Sequence, residues 1–187
     1  GTIVDSTIIS APSSTKNKEK KRDPDAHQVK KGNTWHFGYK AHIGVDRDSG
    51  LVHTVEATPA NVHDVTETSK LLTGEEESVY GDSGYLGAGK RDDAIIRNKA
   101  GCKIKYRINR RPSQVKKLSK SGQYAAKKAE HAKSSVRAKV EHAFGVVKKQ
   151  LRFRKTRYRG LEKQRAKFNI MFALANLILA DRPCLAA

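Results

Sequence analysis

Three acidic residues lie far apart in this chain yet are of the right type to serve one reaction: Asp5, Asp82 and Glu141. Asp82 sits in SVYGDSGYLG, residues 78–87, where a short apolar run (Val79, Tyr80) gives way to a Gly-Asp-Ser-Gly turn. A carboxylate at a strand end projects into the crevice where ligands and metals collect in open α/β sheets. Asp is also a favoured turn residue for local reasons, since its side chain bonds the backbone just ahead of it. Asp5 falls in TIVDSTII, residues 2–9, a β-branched run that reads as a strand. An acid inside a core strand is costly unless paired, hydrogen-bonded or bound to a cation, whereas an early strand end with a turn at Asp5 and Ser6 removes that cost. Glu141 is one of four acids after Asp93, the others being Glu130, Glu162 and Asp181, and serves equally as a salt-bridge partner. Brought together, three carboxylates suit phosphodiester chemistry with two Mg²⁺ ions about 4 Å apart, one activating the attacking oxygen and one steadying the departing oxygen.

The rest of the composition agrees with that chemistry. The 187 residues carry 38 Lys and Arg against 19 Asp and Glu, a formal charge of +19, which points to a polyanionic partner. Nucleic acid leads. An anionic membrane surface would call for a basic amphipathic helix or a lipidation signal, and neither stands out. Cys102 and Cys184 have no CxxC spacing, so neither a disulfide framework nor a zinc site is expected, and a cytoplasmic location fits. The N-terminus, GTIVDS, has no secretory leader pattern. The longest apolar run, Phe168 to Ala180, is interrupted by Asn169 and Asn176 and is too short for a bilayer.

The elements that must position the acids read as one α/β domain over 1–187 with a mixed five-stranded sheet. Residues 10–34 form a basic loop, mobile without its ligand. Trp35, Phe37, Tyr39, Ala41, Ile43 and Val45 alternate with polar residues and glycines, giving a strand with one buried face. A turn at Arg47 to Gly50 leads into a second strand, Leu51 to Thr58, to make a hairpin. His42 and His53 on that hairpin read as ordinary half-buried residues. After Pro59, Val62, Val65, Ser69 and Leu72 recur at helical spacing behind an Asn61 cap, so a crossover helix leads to the Asp82 strand and joins parallel neighbours. Residues 90–99 are helical in pattern, and Ile104, Tyr106 and Ile108 mark the fifth strand. Residues 110–133 form a basic connection, partly helical. Residues 135–151 form a helix with Val136, Val140, Phe144 and Val147 as its apolar stripe. On its other face Arg137 lies about 40° from Glu141, and Lys148 falls about 20° short of two turns beyond it, so three head groups share one side. Lys149, Arg152 and further cations up to Lys167 extend the positive surface, and residues 160–182 close the domain with a buried helix.

The ordered set TIVDSTII, NTWHFGYKAHIGVD, NVHDVTETSKLL, VYGDSGYLG and RAKVEHAFGVVKK resembles the catalytic region of bacterial insertion-sequence transposases of the DDE type, in the group named after insertion sequence five. The resemblance implies a ribonuclease H-like fold, with Asp5, Asp82 and Glu141 as the catalytic and metal-binding triad for two Mg²⁺ ions, Mn²⁺ being the alternative. It implies that Arg137 and Lys148 contact DNA phosphates near the cleaved end, and Lys149 and Arg152 extend that contact surface. It further implies DNA strand cleavage and strand transfer, with element ends and target DNA as partners and a homodimer or larger synaptic assembly. Two departures stand out. The family's Tyr position, three residues before Arg137, is Ser134, and the chain starts four residues before Asp5, so the N-terminal DNA-binding part of a complete member is expected to be absent. A non-catalytic DNA-binding remnant, or a repressor of transposition, is the alternative reading.

Overall fold

The computed structural model of the chain describes residues 1–180. Asp181, Cys184 and the last two positions of the expected closing helix lie outside the described residues. The β-branched N-terminal run forms β1, Thr2–Ser10, in the middle of the sheet. On one side it pairs antiparallel with β3, Thr34–Asp46, and on the other parallel with β5, Ser78–Gly81. β6, Lys105–Ile108, then adds in parallel to β5. Asp5 therefore lies within a strand and not in a turn.

The sheet has six strands, not five. The extra strand is β2, His27–Lys31, within the expected basic loop over 10–34. Its side chains are exposed except for a half-buried Val29, so no apolar alternation advertised it. β2 and β4, Val52–Pro59, share the outer edge of β3, for Gly38 pairs with Ser10 and His27 while Tyr39 pairs with Ile9 and Pro59. The rest of the 10–34 stretch is tied down as well: buried Asp23 accepts from the Tyr39 hydroxyl and from the Gly160 backbone N–H. The burial expected along β3 holds from Tyr39 to Val45 and fails at Trp35, which is 64 % exposed.

β4 leads across to β5, which neighbours β1 and not β4, so the two strands are not parallel neighbours. No α-helix forms between them. Two short 3₁₀ turns, Asp64–Glu67 and Ser69–Leu71, replace it. The hydroxyls of Thr66 and Thr68 donate to the carbonyls of His63 and Val65, and such local bonds compete with a continuous helical ladder. The expected helix over 90–99 is likewise absent. Its backbone is engaged elsewhere: Lys99 N–H donates to Gly74 O and Ile104 N–H to Ile96 O.

The expected basic connection over 110–133 is largely helical: α1, Pro112–Lys116, is followed by α2, Lys120–Gly145. Ser119 caps α2 by accepting from Gly122 N–H, and Ala, Lys and Gln carry its exposed first half on intrinsic propensity without an apolar stripe. At its other end α2 passes into a π-turn, Val146–Gln150, in place of the regular helix expected to Leu151. After a basic loop, α3, Leu161–Ala180, closes the fold.

Alternation splits the core into two layers. Ile3, Tyr39, Ile43 and Tyr80 pack under Val140, Phe144, Val147, Phe168 and Phe172 of α2, the π-turn and α3. Val4, Val79, Leu71, Tyr85 and Ile104 fill the opposite face. Phe144 and Phe172 meet edge to face at 6.2 Å. Asn176, one of the polar interruptions in α3, bonds both the N–H and the C=O of Val52 and so fixes the start of β4. Among the described residues no helix is long and apolar enough to cross a membrane.

Candidate active site

Period-two alternation places Asp5 on the same face of β1 as Ile3, beneath α2. Two residues after Tyr80, Asp82 leaves β5 on that face and opens a short 3₁₀ turn, Ser83–Tyr85, with its Oδ1 accepting from Gly84 N–H at 2.8 Å. A Cβ on Gly84 would stand 2.9 Å from that oxygen, so glycine is what lets the turn close against Asp82. Glu141 comes down from α2, whose apolar side is anchored in the core by Val140 and Phe144. All three acids line one cavity of about 510 Å³. Lys31, Arg137, Lys148 and Lys149 line it too.

Charge in this cavity is finely opposed. Burial raises the Asp5 carboxyl to about 6; the Ser6 N–H, at 2.7 Å, and Arg137 pull it down, while Asp82 and Glu141 push it up. Arg137 Nη2 approaches Asp5 Oδ2 at 3.4 Å, and its Nη1 reaches Asn109 Oδ1 at 3.4 Å. Its Nε is buried with no protein partner. The Lys148 ammonium is pressed below its usual range by burial first and by Lys31 next, with Arg154 adding to the effect. Burial and neighbouring cations make the Lys148 charge costly to hold, a cost that an incoming phosphate would relieve.

Hard carboxylate oxygens are the donors that Mg²⁺ and Mn²⁺ prefer, and the mutual repulsion felt at Asp5 is of the kind a divalent cation removes, so the donor set fits such ions. The three acids do not close round a single point: among the described residues no group of three or more His, Cys, Asp or Glu side chains has metal-holding geometry. His42 and His53 stay outside the cavity. His42 is fully buried, bonds Thr58 Oγ1 through Nε2, and has its pKa lowered to about 4 by burial, so its 3.7 Å approach to Asp64 is that of a neutral ring. His53 reaches Thr2 Oγ1.

The family model of the transposase DDE domain matches residues 1–177. The chain belongs to this family. Among solved structures it is similar to the piggyBac transposase, solved as a synaptic complex with hairpin DNA, at a TM-score of 0.53 and 11 % identity. The match covers 95 % of this chain and 46 % of that one, so the chain spans about half the length of that transposase. The DDE fold here is ribonuclease H-like, a mixed sheet with flanking helices.

Within this DDE domain six of the seven expected site residues gather at one cavity: Asp5, Asp82, Glu141, Arg137, Lys148 and Lys149. Arg152 does not. It sits past the π-turn in the left-handed region, φ 53°, and lines a separate cavity of about 770 Å³ with Arg154, Arg157 and Lys167 and no carboxylate. The helical run ends at Gln150, so Arg152 lies beyond the helix whose face carries Glu141 and Lys148. Ser134, at the family's Tyr position, accepts from Asn109 Nδ2 at 3.3 Å and so helps bind the end of β6 to α2.

Two residues escaped sequence reasoning. Lys31 was hidden in an apparent loop. Asp64 lies behind the cavity on the other face of β1, accepting from Ser6 Oγ at 2.9 Å and Lys40 Nζ at 3.0 Å, with Oδ2 toward Gly84. It ties Ser6, next to Asp5 on β1, to Lys40 on β3. Its motif, NVHDVTETSKLL, was visible, but nothing in the residue types gave Asp64 a role.

Proposed function

We propose that the chain is the catalytic domain of a DDE transposase, cutting DNA at the ends of a mobile element and joining the freed ends to target DNA. The observation that carries this reading is the presence of three acids from distant parts of the chain and four cations around one cavity. Asp5, Asp82 and Glu141 would hold two divalent cations, Mg²⁺ or Mn²⁺, which when bound activate the attacking oxygen and steady the departing one. The chain's own residues supply the rest. Arg137 steadies Asp5 and places its positive charge at the edge of the cavity, where a phosphate would come. Lys148, Lys149 and Lys31 neutralise the phosphates on either side, so the acids do not repel the strand they act on. Water attacks the phosphodiester and frees a 3′-hydroxyl, which then attacks target DNA in line. Action at two element ends fits a homodimer or larger assembly.

A second reading, a DNA-binding protein without catalysis, draws on the acids' failure to close round a single point. Nicking of supercoiled DNA in Mg²⁺ separates the two. Asp82→Ala is expected to lose nicking while retaining salt-sensitive DNA binding. If Asp82→Ala nicks like the unaltered chain, the catalytic reading is wrong and the binding reading stands.

A further inference from the structure

The hollow around the acids continues beyond Lys148. A second hollow shares Thr7, Lys31 and Lys148 with it and adds His36 and Arg154. A third shares Ser10 and His36 with the second and reaches Gln28, Trp35 and Lys155. Adjacent through these shared residues, the three hollows lie in a row from Asp5 and Asp82 to the β2–β3 hairpin, and together they outline a trough. Past the first hollow no carboxylate lines it, whereas Lys31, Lys148, Arg154 and Lys155 do. At the far end stands Trp35, the chain's sole tryptophan, paired across the hairpin with Lys30 and 64 % exposed.

We propose that this trough holds a single-stranded segment of DNA leading away from the reacting phosphate, with Trp35 as the platform on which an unpaired base stacks. The inference rests on the acid-lined cavity being the reaction site. A basic groove suits any phosphate backbone, but a broad aromatic face set in such a groove suits unpaired bases, whose flat faces are free. In a duplex those faces are covered by neighbouring pairs. The indole would then have nothing to stack on.

Because Trp35 is the only tryptophan, its emission reports directly on the trough. Metal-free protein is titrated with a duplex bearing a single-stranded overhang and, separately, with the same duplex blunt-ended. The overhang is expected to quench the emission and the blunt duplex to leave it nearly unchanged. Trp35→Ala is expected to lower affinity for the overhang by about tenfold and leave blunt-duplex affinity unchanged, with Trp35→Phe restoring most of the loss. Saturating overhang binding with unchanged emission overturns the proposal, as does equal quenching by the blunt duplex. An emission change on raising protein concentration without DNA also overturns it, since the surface is then a contact between copies of the chain. Neither metal nor cleavage enters these readouts, so their failure leaves the acid centre standing, and a failed nicking assay leaves them unaffected.

Discussion

Asp5 shows how a reactive position is held at a cost. Its carboxyl is held up to about 6 in the fold, chiefly by burial, so the folded state binds a proton more tightly than the unfolded chain does. The sign follows: without metal, its contribution to stability is fully present below about pH 4 and is lost as pH rises through about 6. The cost at neutral pH is about 2–3 kcal/mol. Asp5→Asn is expected to raise the melting temperature of the metal-free protein at pH 7.5 and to flatten its decline between pH 4 and 6, as followed by circular dichroism. A variant less stable than the unaltered chain at pH 7.5 would contradict this. Asp5 was informative in the sequence because it interrupts an apolar strand, Asp82 because it stands at a strand end, and Glu141 because only four acids follow Asp93. Asp64 was not, because its role depends on lying behind β1 opposite Gly84, a placement that no local pattern encodes.

At the scale of elements, what could be read in advance was what has a period. The alternation from Tyr39 to Val45 and the stripe through Val140, Phe144 and Val147 are driven by burial, and the structure keeps both. β2 has exposed side chains apart from a half-buried Val29 and is held chiefly by backbone pairing, while the first half of α2 rests on propensity, so neither left an apolar signature. Helical spacing over 62–72 proved misleading because the backbone closes into two short 3₁₀ turns, where threonine hydroxyls add their own bonds to the carbonyls of His63 and Val65. The helix over the acids, α2, and its neighbour α3 are held together chiefly by packing. Phe172 of α3 is buried edge to face against Phe144 of α2, and Phe172→Ala is expected to cost about 3–5 kcal/mol in urea denaturation. A loss below about 1 kcal/mol would show that α3 does not brace the helix carrying Glu141.

Over the whole molecule, a charge of +19 predicts that any affinity for DNA falls steeply with salt. With Lys148 as one proposed phosphate contact, Lys148→Ala is expected to reduce the slope of log affinity against log salt by about one. An unchanged slope would move the contact elsewhere on the basic surface. The overall arrangement places β1 and β5 side by side with α2 above them, so acids separated by dozens of residues reach one cavity. The central claim is that these three carboxylates act as one cation site. Titration of Mn²⁺ into the folded chain, followed by electron paramagnetic resonance, tests it most directly. Binding is expected in the unaltered protein and its loss in each of Asp5→Asn, Asp82→Asn and Glu141→Gln; Mn²⁺ binding that survives Glu141→Gln undiminished would contradict the account.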